Sequence, residues 1–333
     1  MINRYLLSKC LALLVGLFCI FLAYNFNSKN TYQVSGYAYG TTWSITSTEF
    51  IADHHEKNIQ KIINDIDMMA SNYKSDSEIA IVNNGPMNTD ITVSDGLFDI
   101  LSISKQVSKV SNGYYDITLG KVSSSMGFSP NFEKNVTNNP LNRSYALNKN
   151  NKSVIKSSAF WFDLSSIAKG YAVQRIHTYL LNNNLLNHLI DIGGEVIING
   201  SNYTEPWKVG IQDPNSIVNK PIYIIKNIKG SFISIATSGE YRNFKTNLSG
   251  LTDTHTIDPT TLKSIESDSL SVTVISNKSA TYADGYATAF NAMSTSEALE
   301  IANANDIALM LVQDTNGFIE LVFSDKWYDF VYE

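Results

Sequence analysis

The sequence predicts one α+β domain of about 300 residues behind a short apolar N-terminal segment. Helical periodicity dominates the first half, where isoleucines recur on one face of residues 51–70. From Leu189 onward, short β-branched runs alternate with Gly, Asn, Pro or Asp, which is typical of strands joined by turns. Because no internal repeat, low-complexity tract or Pro-rich hinge divides residues 31–333, we expect them to form one domain.

The elements of the first half follow from local signals. Residues 32–48 combine Val, Tyr, Thr, Trp and Ile with two glycines, which predicts a strand pair or a bent strand. A helix covers 51–70, a second follows the N-cap Ser94 and stops at Asn112-Gly113, and a third spans about 167–182.

The second half is predicted to be mainly β with one pair of helices. We expect strands at 189–192, 195–198, 207–211, 222–228, 232–236, 270–275, 307–312 and 318–323, and helices at 283–293 and 295–303.

Composition excludes several classes of function. With 44% hydrophobic and 17% charged residues, the chain is not intrinsically disordered. A net charge of −6 without a basic stripe argues against nucleic-acid binding. Cys10 and Cys19 both lie in the N-terminal segment, so residues 31–333 carry no thiol for a disulfide, a zinc site or a nucleophile.

Residues 1–30 predict export. Arg4 and Lys9 precede 14 apolar residues, 11–24, a length between that of a signal peptide and that of a membrane helix. An uncleaved anchor in the inner membrane is favoured over a cleaved signal, since no small-x-small cleavage site follows. In both cases the charge pattern places residues 31–333 on the periplasmic, extracytoplasmic side.

Two sequence segments predict sites for an anionic ligand. In Asp163-Leu-Ser-Ser-Ile-Ala-Lys169-Gly170, a helix N-terminus lies beside a lysine; the alternative is an ordinary helix capped by Ser165 or Ser166. Ala236-Thr-Ser-Gly239 predicts a small-residue turn that forms a backbone cradle, and it lacks the G-x-S-x-G pattern of hydrolases.

The adjacent glycines Gly193-Gly194 predict a tight hairpin turn or a close approach to a ligand. Because a strand follows them, they do not match a dinucleotide-binding fingerprint.

His255 and Asp284 are the candidates for chemistry. His255 lies three residues before Asp258-Pro259, which suits proton transfer or contact with phosphate. We interpret the other four histidines, His54, His55, His177 and His188, as structural or solvated. Asp284 and Thr288 share one helix face, and such oxygen ligands suit Mg²⁺ together with substrate phosphate; a salt bridge or cap is the alternative.

Taken together and in order, the motifs resemble those of the ApbE family of FAD:protein FMN transferases over about residues 34–325. They are Gly40-Thr-Thr-Trp-Ser-Ile45, Tyr73-x3-Ser77-Glu78, Gly113-Tyr-Tyr-Asp116-Ile-Thr118, Asp163-Leu-Ser-Ser-Ile-Ala-Lys-Gly170, Asp191-Ile-Gly-Gly194, Trp207-x-Val-Gly-Ile211, Ala236-Thr-Ser-Gly239, His255-x-x-Asp258-Pro259 and Ala283-Asp284-x3-Thr288.

The resemblance implies a single T-fold-related domain with mixed or antiparallel sheets and flanking helices. It also implies a Mg²⁺-dependent transferase that cleaves FAD, attaches FMN by a phosphoester to a Thr or Ser hydroxyl of an acceptor protein and releases AMP. Acceptors of the family are exported flavoprotein subunits, such as those of redox-driven ion pumps. Two alternatives stay open: hydrolysis of FAD to FMN and AMP, and an exported, non-catalytic FAD-binding protein.

Site residues follow from the same resemblance. Asp284 and Thr288 match the side-chain ligands of the metal, and Ser166 matches a ligand that acts through its carbonyl. His255 matches the histidine beside the phosphates and is the candidate for deprotonating the acceptor. The positions that match FAD contacts are Tyr39, Tyr73, Tyr114, Tyr115, Asp116, Asp163, Lys169 and His255.

The sequence departs from the family pattern at two places. Thr260, Thr261 and Leu262 replace the usual Arg-Thr-Gly after Asp258-Pro259, and Gly120-Lys-Val-Ser replaces Gly-Pro-Leu-Val. These departures leave the metal-ligand positions intact and bear on acceptor choice and flavin seating.

Overall fold

The computed structural model describes residues 4–27, 30–130, 142–216, 218, 220–239, 244–246, 252–254, 256–265, 267–315 and 317–330. The helices are α1 (Arg4–Asn27), α2 (Asp53–Ala70), α3 (Glu78–Asn84), α4 (Asp95–Val110), α5 (Gly120–Ser125), α6 (Ala168–Asn182), α7 (Ala280–Asn291) and α8 (Thr295–Ala304), followed by a 3₁₀ helix at Asp325–Asp329.

The strands are β1 (Tyr32–Ala38), β2 (Thr41–Ser47), β3 (Ile91–Thr92), β4 (Tyr145–Asn148), β5 (Ser153–Lys156), β6 (His188–Ile192), β7 (Glu195–Asn199), β8 (Lys208–Gln212), β9 (Pro221–Lys226), β10 (Ile233–Gly239), β11 (Phe244–Thr246), β12 (Thr252–Thr254), β13 (Ser271–Ser276), β14 (Ala308–Thr315) and β15 (Phe318–Phe323).

An eight-stranded sheet organises the α+β fold, in the order β1-β2-β6-β7-β10-β13-β14-β15. Every neighbouring pair in it is antiparallel. Three small sheets accompany it: β3-β5-β4, β8-β9 and β11-β12. The predicted class and the antiparallel pairing are therefore confirmed.

Both faces of the central sheet are buried, which explains why its middle strands are apolar throughout. In β7, Ile197 packs in the larger core with α2, α4, α6 and α7, whereas Val196 and Ile198 face a second core. That second core is closed by Trp207, next to the β8-β9 hairpin, and by Trp327 of the 3₁₀ helix. Alternation with a period of two distributes these consecutive apolar residues between the two cores.

The predicted helices and hairpins are confirmed, with small shifts at their ends. Ser94 caps α4 by accepting a hydrogen bond from the N–H of Leu97. One prediction is wrong: residues 237–239 do not form a turn after β10 but continue it, paired with β13 as far as Gly239. The ladder with β13 extends the strand through Gly239, although glycine has a weak β propensity of its own.

Short elements of the first half escaped prediction. Helices α3 and α5 have seven and six residues, too few for a helical period to show. The three-stranded sheet likewise uses strands of two to four residues.

The apolar N-terminal segment forms α1. Among the described residues, no helix combines the length and apolar character needed to cross a membrane. The membrane anchor expected from the sequence stays a prediction.

Candidate active site

The candidate site lies at one edge of the central sheet, the edge formed by the ends of its strands, where two hairpin turns are adjacent. The β1-β2 turn at Tyr39-Gly40 and the β6-β7 turn at Gly193-Gly194 all have positive φ, as type I′ turns require. The N–H of Gly193 donates to the carbonyl of Thr42 at 3.1 Å. This bond joins the β6-β7 turn to the start of β2, and the antiparallel pairing of β6 with β7 confirms the predicted hairpin at Gly193-Gly194.

Helices α6 and α7 approach each other closely beside this edge. The N–H of Gly170 donates to Oδ2 of Asp284 at 2.7 Å, and Asp284 is 2% exposed. A Cβ at position 170 would lie 2.5 Å from the carbonyl oxygen of Ala280 and 2.5 Å from Cβ of Asp284. Glycine is therefore required here for the backbone of α6 to reach the carboxylate on α7.

No serine caps the N-terminus of α6. Its N-cap residue is Ile167, which makes no side-chain cap hydrogen bond, so the alternative with Ser165 or Ser166 as cap is wrong. The hydroxyl of Ser166 instead lies 3.0 Å from Oη of the buried Tyr115. Ser166 does not cap the helix because the chain enters α6 through a tight turn at 165–167, which directs its hydroxyl toward the phenol of Tyr115.

Glu195 is a site residue that the sequence analysis missed. It opens β7, is 3% exposed, and its Oε1 pairs with Nζ of Lys169 at 2.6 Å. Its Oε2 is buried without a hydrogen-bond partner. The available signal was a single carboxylate directly before the apolar run Val196–Ile198. Because a buried charge needs a partner, this position indicated an ion pair or a ligand.

Glu195, Lys169 and Asp284 form one buried ionic cluster. Burial raises the pKa of Asp284 well above its ordinary value, and the nearby Glu195 raises it further, whereas Lys169 and the Gly170 N–H oppose the shift. Two carboxylates thus lie near one ammonium, which pairs directly with Glu195, and a divalent cation would offset their repulsion.

The donors around the cluster are oxygens. Thr288 lies one turn after Asp284 on α7, and its hydroxyl is 3.4 Å from Oγ of Ser238 on β10. Within the described part of the chain, no three His, Cys, Asp or Glu side chains group in a way that could hold a metal ion. The carboxylate and hydroxyl donors present, with the unpartnered Glu195 oxygen, fit a hard cation such as Mg²⁺.

Tyr73 and Asp163 converge on one loop. Oη of Tyr73 donates to the carbonyl of Phe128 at 2.8 Å, and Oδ2 of Asp163 accepts from Oγ of Ser129 at 3.1 Å. Burial and the charge of Asp163 raise the pKa of Tyr73. Tyr73 is 65% exposed, which leaves it accessible to a ligand.

The other predicted tyrosines use their hydroxyls within the protein. Tyr39 donates to the carbonyl of Ile63 on α2 at 2.8 Å, and burial, then Asp67, raise its pKa. Tyr114 donates to Oε1 of Glu297 on α8 at 3.0 Å. The half-buried rings of Tyr39 and Tyr114 pack against the larger core.

Asp116 is held by Arg143, another residue that the sequence analysis missed. Oδ1 of Asp116 accepts from the N–H of Thr118 at 2.8 Å and from its hydroxyl at 2.6 Å. Oδ2 accepts from Nη2 of Arg143 at 3.2 Å. No local pattern in the sequence singles out Arg143, since its partners lie 27 and 116 positions away.

The prediction for His255 falls outside the described residues. The turn that follows is described: Oδ1 of Asp258 accepts from the N–H and the hydroxyl of Thr260, and Oδ2 accepts from the hydroxyl of Thr261. Although desolvation opposes it, these hydrogen bonds lower the pKa of Asp258. Asp258 is thus occupied in shaping its own turn.

Comparisons with known proteins show which family the sequence and the fold belong to. A family model described as "ApbE family" matches residues 39–311. The FAD:protein FMN transferase of Haemophilus influenzae is 32% identical, over 86% of this chain and 88% of its own length. That of Vibrio cholerae is 31% identical, over 88% and 90%. The solved flavin transferase ApbE from Vibrio cholerae superposes with a TM-score of 0.78 at 26% identity, covering 91% of this chain and all of that one. The chain belongs to the ApbE family.

Proposed function

We propose that this protein is a Mg²⁺-dependent flavin transferase. It cleaves the pyrophosphate of FAD, attaches FMN through a phosphoester to a Thr or Ser hydroxyl of an acceptor protein, and releases AMP. Relatives about 30% identical over most of the chain carry the name FAD:protein FMN transferase. The observation that carries the proposal is the cluster of Asp284, Glu195 and Lys169 beside the N-terminus of α6.

Lys169 and α6 bind the substrate phosphates in this proposal. The N-terminus of α6 presents the positive end of the helix dipole, which favours anions. The side chain of Lys169 is 27% exposed, and Glu195 holds its ammonium in position. Tyr73 and Asp163 bind FAD on the adjoining loop, and the segment Tyr114 to Asp116 borders it.

Asp284, Thr288 and the carbonyl of Ser166 would hold Mg²⁺. When bound, the ion offsets the negative charge of the anhydride and orients it. The acceptor oxygen forms a bond to the phosphorus of the FMN half, the anhydride bond to AMP breaks, and His255 takes the proton of the acceptor hydroxyl. Each of these residues thus positions groups or moves one proton.

A flavinylation assay tests the function. Residues 30–333 are incubated with FAD, Mg²⁺ and a protein that carries an exposed Thr acceptor motif, and the acceptor is read by intact mass. The expected result is the gain of one FMN together with AMP, both lost when a chelator is added.

Two other outcomes would replace the proposal. Release of AMP and FMN, with no acceptor labelled in a panel of exported flavoprotein subunits, would assign FAD hydrolysis. Bound FAD without either product would assign a non-catalytic FAD-binding protein.

We also propose that residues 1–30 direct export, with the transferase domain acting on the extracytoplasmic side. Arg4 and Lys9, which precede the apolar residues 11–24 of α1, support this. Fractionation of cells that express the full chain should place the domain with periplasmic markers, and replacing Leu13 and Leu14 by Lys should retain it inside. Equal fractionation of both forms would refute the export signal.

A further inference from the structure

The guanidinium of Arg143 connects two loops that are far apart in sequence. Nε donates to the hydroxyl of Thr118 at 3.2 Å, and Nη2 donates both to Oδ2 of Asp116 at 3.2 Å and to the carbonyl of Pro259 at 3.0 Å. The side chains of Arg143 and Asp116 are only 12% and 20% exposed, so solvent weakens the ion pair little.

Each connected loop is already ordered from within. Asp116 receives two hydrogen bonds from Thr118, and Asp258 receives hydrogen bonds from Thr260 and Thr261. Arg143 is therefore not needed to shape either turn. Its contacts instead fix the distance between them.

The base of the 256–265 loop has its own anchors. Ile257 packs with Leu119 and Val122, and Nδ2 of Asn291 donates to the hydroxyl of Thr256 at 2.9 Å. Loss of Arg143 should therefore release the tip of this loop at Pro259 without unfolding the domain.

We propose that Arg143 is a positioning residue for FAD binding: it clamps the Asp116 loop to the Pro259 turn and so fixes the distance between the two beside the site. This inference rests on the proposed function. Asp116 follows Tyr115, whose hydroxyl meets Ser166 at the entrance to α6, so the clamp lies one residue from the site proper. Lysine cannot replace arginine here, since an ammonium lacks the planar fork that reaches three acceptors in fixed directions.

The test compares Arg143→Lys and Arg143→Ala with Arg175→Ala, a matched control because Arg175 is exposed on α6. FAD affinity is measured by quenching of flavin fluorescence, and AMP release gives KM and kcat. We expect both Arg143 variants to raise Kd and KM for FAD about tenfold, with kcat at saturating FAD changed less than about twofold. Millimolar guanidinium, but not methylammonium, should restore part of the affinity of Arg143→Ala.

Several results would overturn the clamp. They are an unchanged Kd in Arg143→Lys, or a fall in kcat with KM unchanged, which would place Arg143 in the chemical step. Thermal melting shows whether Arg143→Ala is still folded. If it is not, the FAD affinity of Arg143→Lys decides whether the clamp exists. If the unmodified protein binds no FAD, the proposed function and the clamp both fail; if it binds and turns over FAD while the Arg143 variants match the control, only the clamp fails.

Discussion

Gly170 on α6 and Asp284 on α7 are joined by a 2.7 Å hydrogen bond from a backbone N–H to a buried carboxylate, across 114 positions of sequence. The bond fixes the start of α6 relative to α7. Because Lys169 precedes Gly170, the same contact sets where its ammonium meets Glu195. The geometry of the ionic cluster therefore depends on a residue that has no side chain.

Replacing Gly170 by Ala should destabilise the protein and abolish Mg²⁺-dependent AMP release. The new methyl would lie 2.5 Å from the carbonyl oxygen of Ala280, a backbone atom that cannot turn away. We expect a loss of about 2 kcal/mol in the free energy of unfolding, since overpacking outweighs the helical preference of Ala. Urea denaturation measures this loss.

Gly285→Ala is the matched control for that variant. A Cβ there would meet Val107 methyls at 3.2 and 3.4 Å, and these can shift. Equal stability of the two variants would show that α6 and α7 have room to separate.

The contact between Gly170 and Asp284 also shows which parts of the site can be predicted from sequence. Spacing on a single helix placed Asp284 with Thr288, and a polar segment before α6 indicated an anion site, because both signals are local. A local signal marked Glu195 as a buried carboxylate but not its partner Lys169, 26 positions away, and no local signal marked Arg143, whose partner Pro259 lies 116 positions away. Only the pairing of distant strands and loops, which tertiary contacts decide, brings such residues together.

Asp284→Asn should separate stability from function. The amide oxygen can still accept the Gly170 N–H, while the cost of burying a charge near Glu195 disappears. We expect the metal-free variant to be at least as stable as the parent, and its Mg²⁺-dependent AMP release to fall by more than about 100-fold because the anionic ligand is lost. Denaturation in chelator and a Mg²⁺ titration of activity measure the two effects.

Asp191→Asn is the control for charge at this edge of the sheet. Oδ1 of Asp191 accepts the Gly194 N–H at 2.9 Å within the β6-β7 turn. Its replacement should leave the Mg²⁺ dependence unchanged. A similar loss of Mg²⁺ response in both variants would argue that general charge, and not a ligand, is at stake.

Lys169→Met should strongly destabilise the metal-free protein. It leaves Glu195 and Asp284 buried without their cation, which costs about 3 kcal/mol in comparable pairs. The double variant Lys169→Met, Glu195→Gln should recover part of that stability, because the neutral amide removes the uncompensated charge. Urea denaturation of both variants and of Glu195→Gln completes the cycle; strictly additive effects would contradict the ionic cluster.

A buried histidine pair should make the stability of the protein sensitive to mild acid. Nδ1 of His188 lies 2.7 Å from the carbonyl of Leu185, so it carries the proton, and Nε2 then accepts from Nδ1 of His177 at 2.9 Å. Burial, then the neighbouring His188, lower the pKa of His177 to about 4. Burial also lowers the pKa of His188 to about 4, although the Leu185 carbonyl and Glu49 oppose the shift.

The sign of the pH effect follows from these pKa values. In the unfolded chain both histidines titrate near 6.5, so between pH 6.5 and 4 the unfolded state binds more protons than the folded one. Stability is therefore complete above pH 6.5 and declines toward pH 4, with each histidine contributing a slope of up to about 1.4 kcal/mol per pH unit. His177→Gln should reduce the slope measured by urea denaturation at pH 7, 6 and 5, because glutamine does not titrate. His54→Gln, on the exposed face of α2, should leave it unchanged, and equal slopes in the two variants would rule out the pair as the acid-sensitive element.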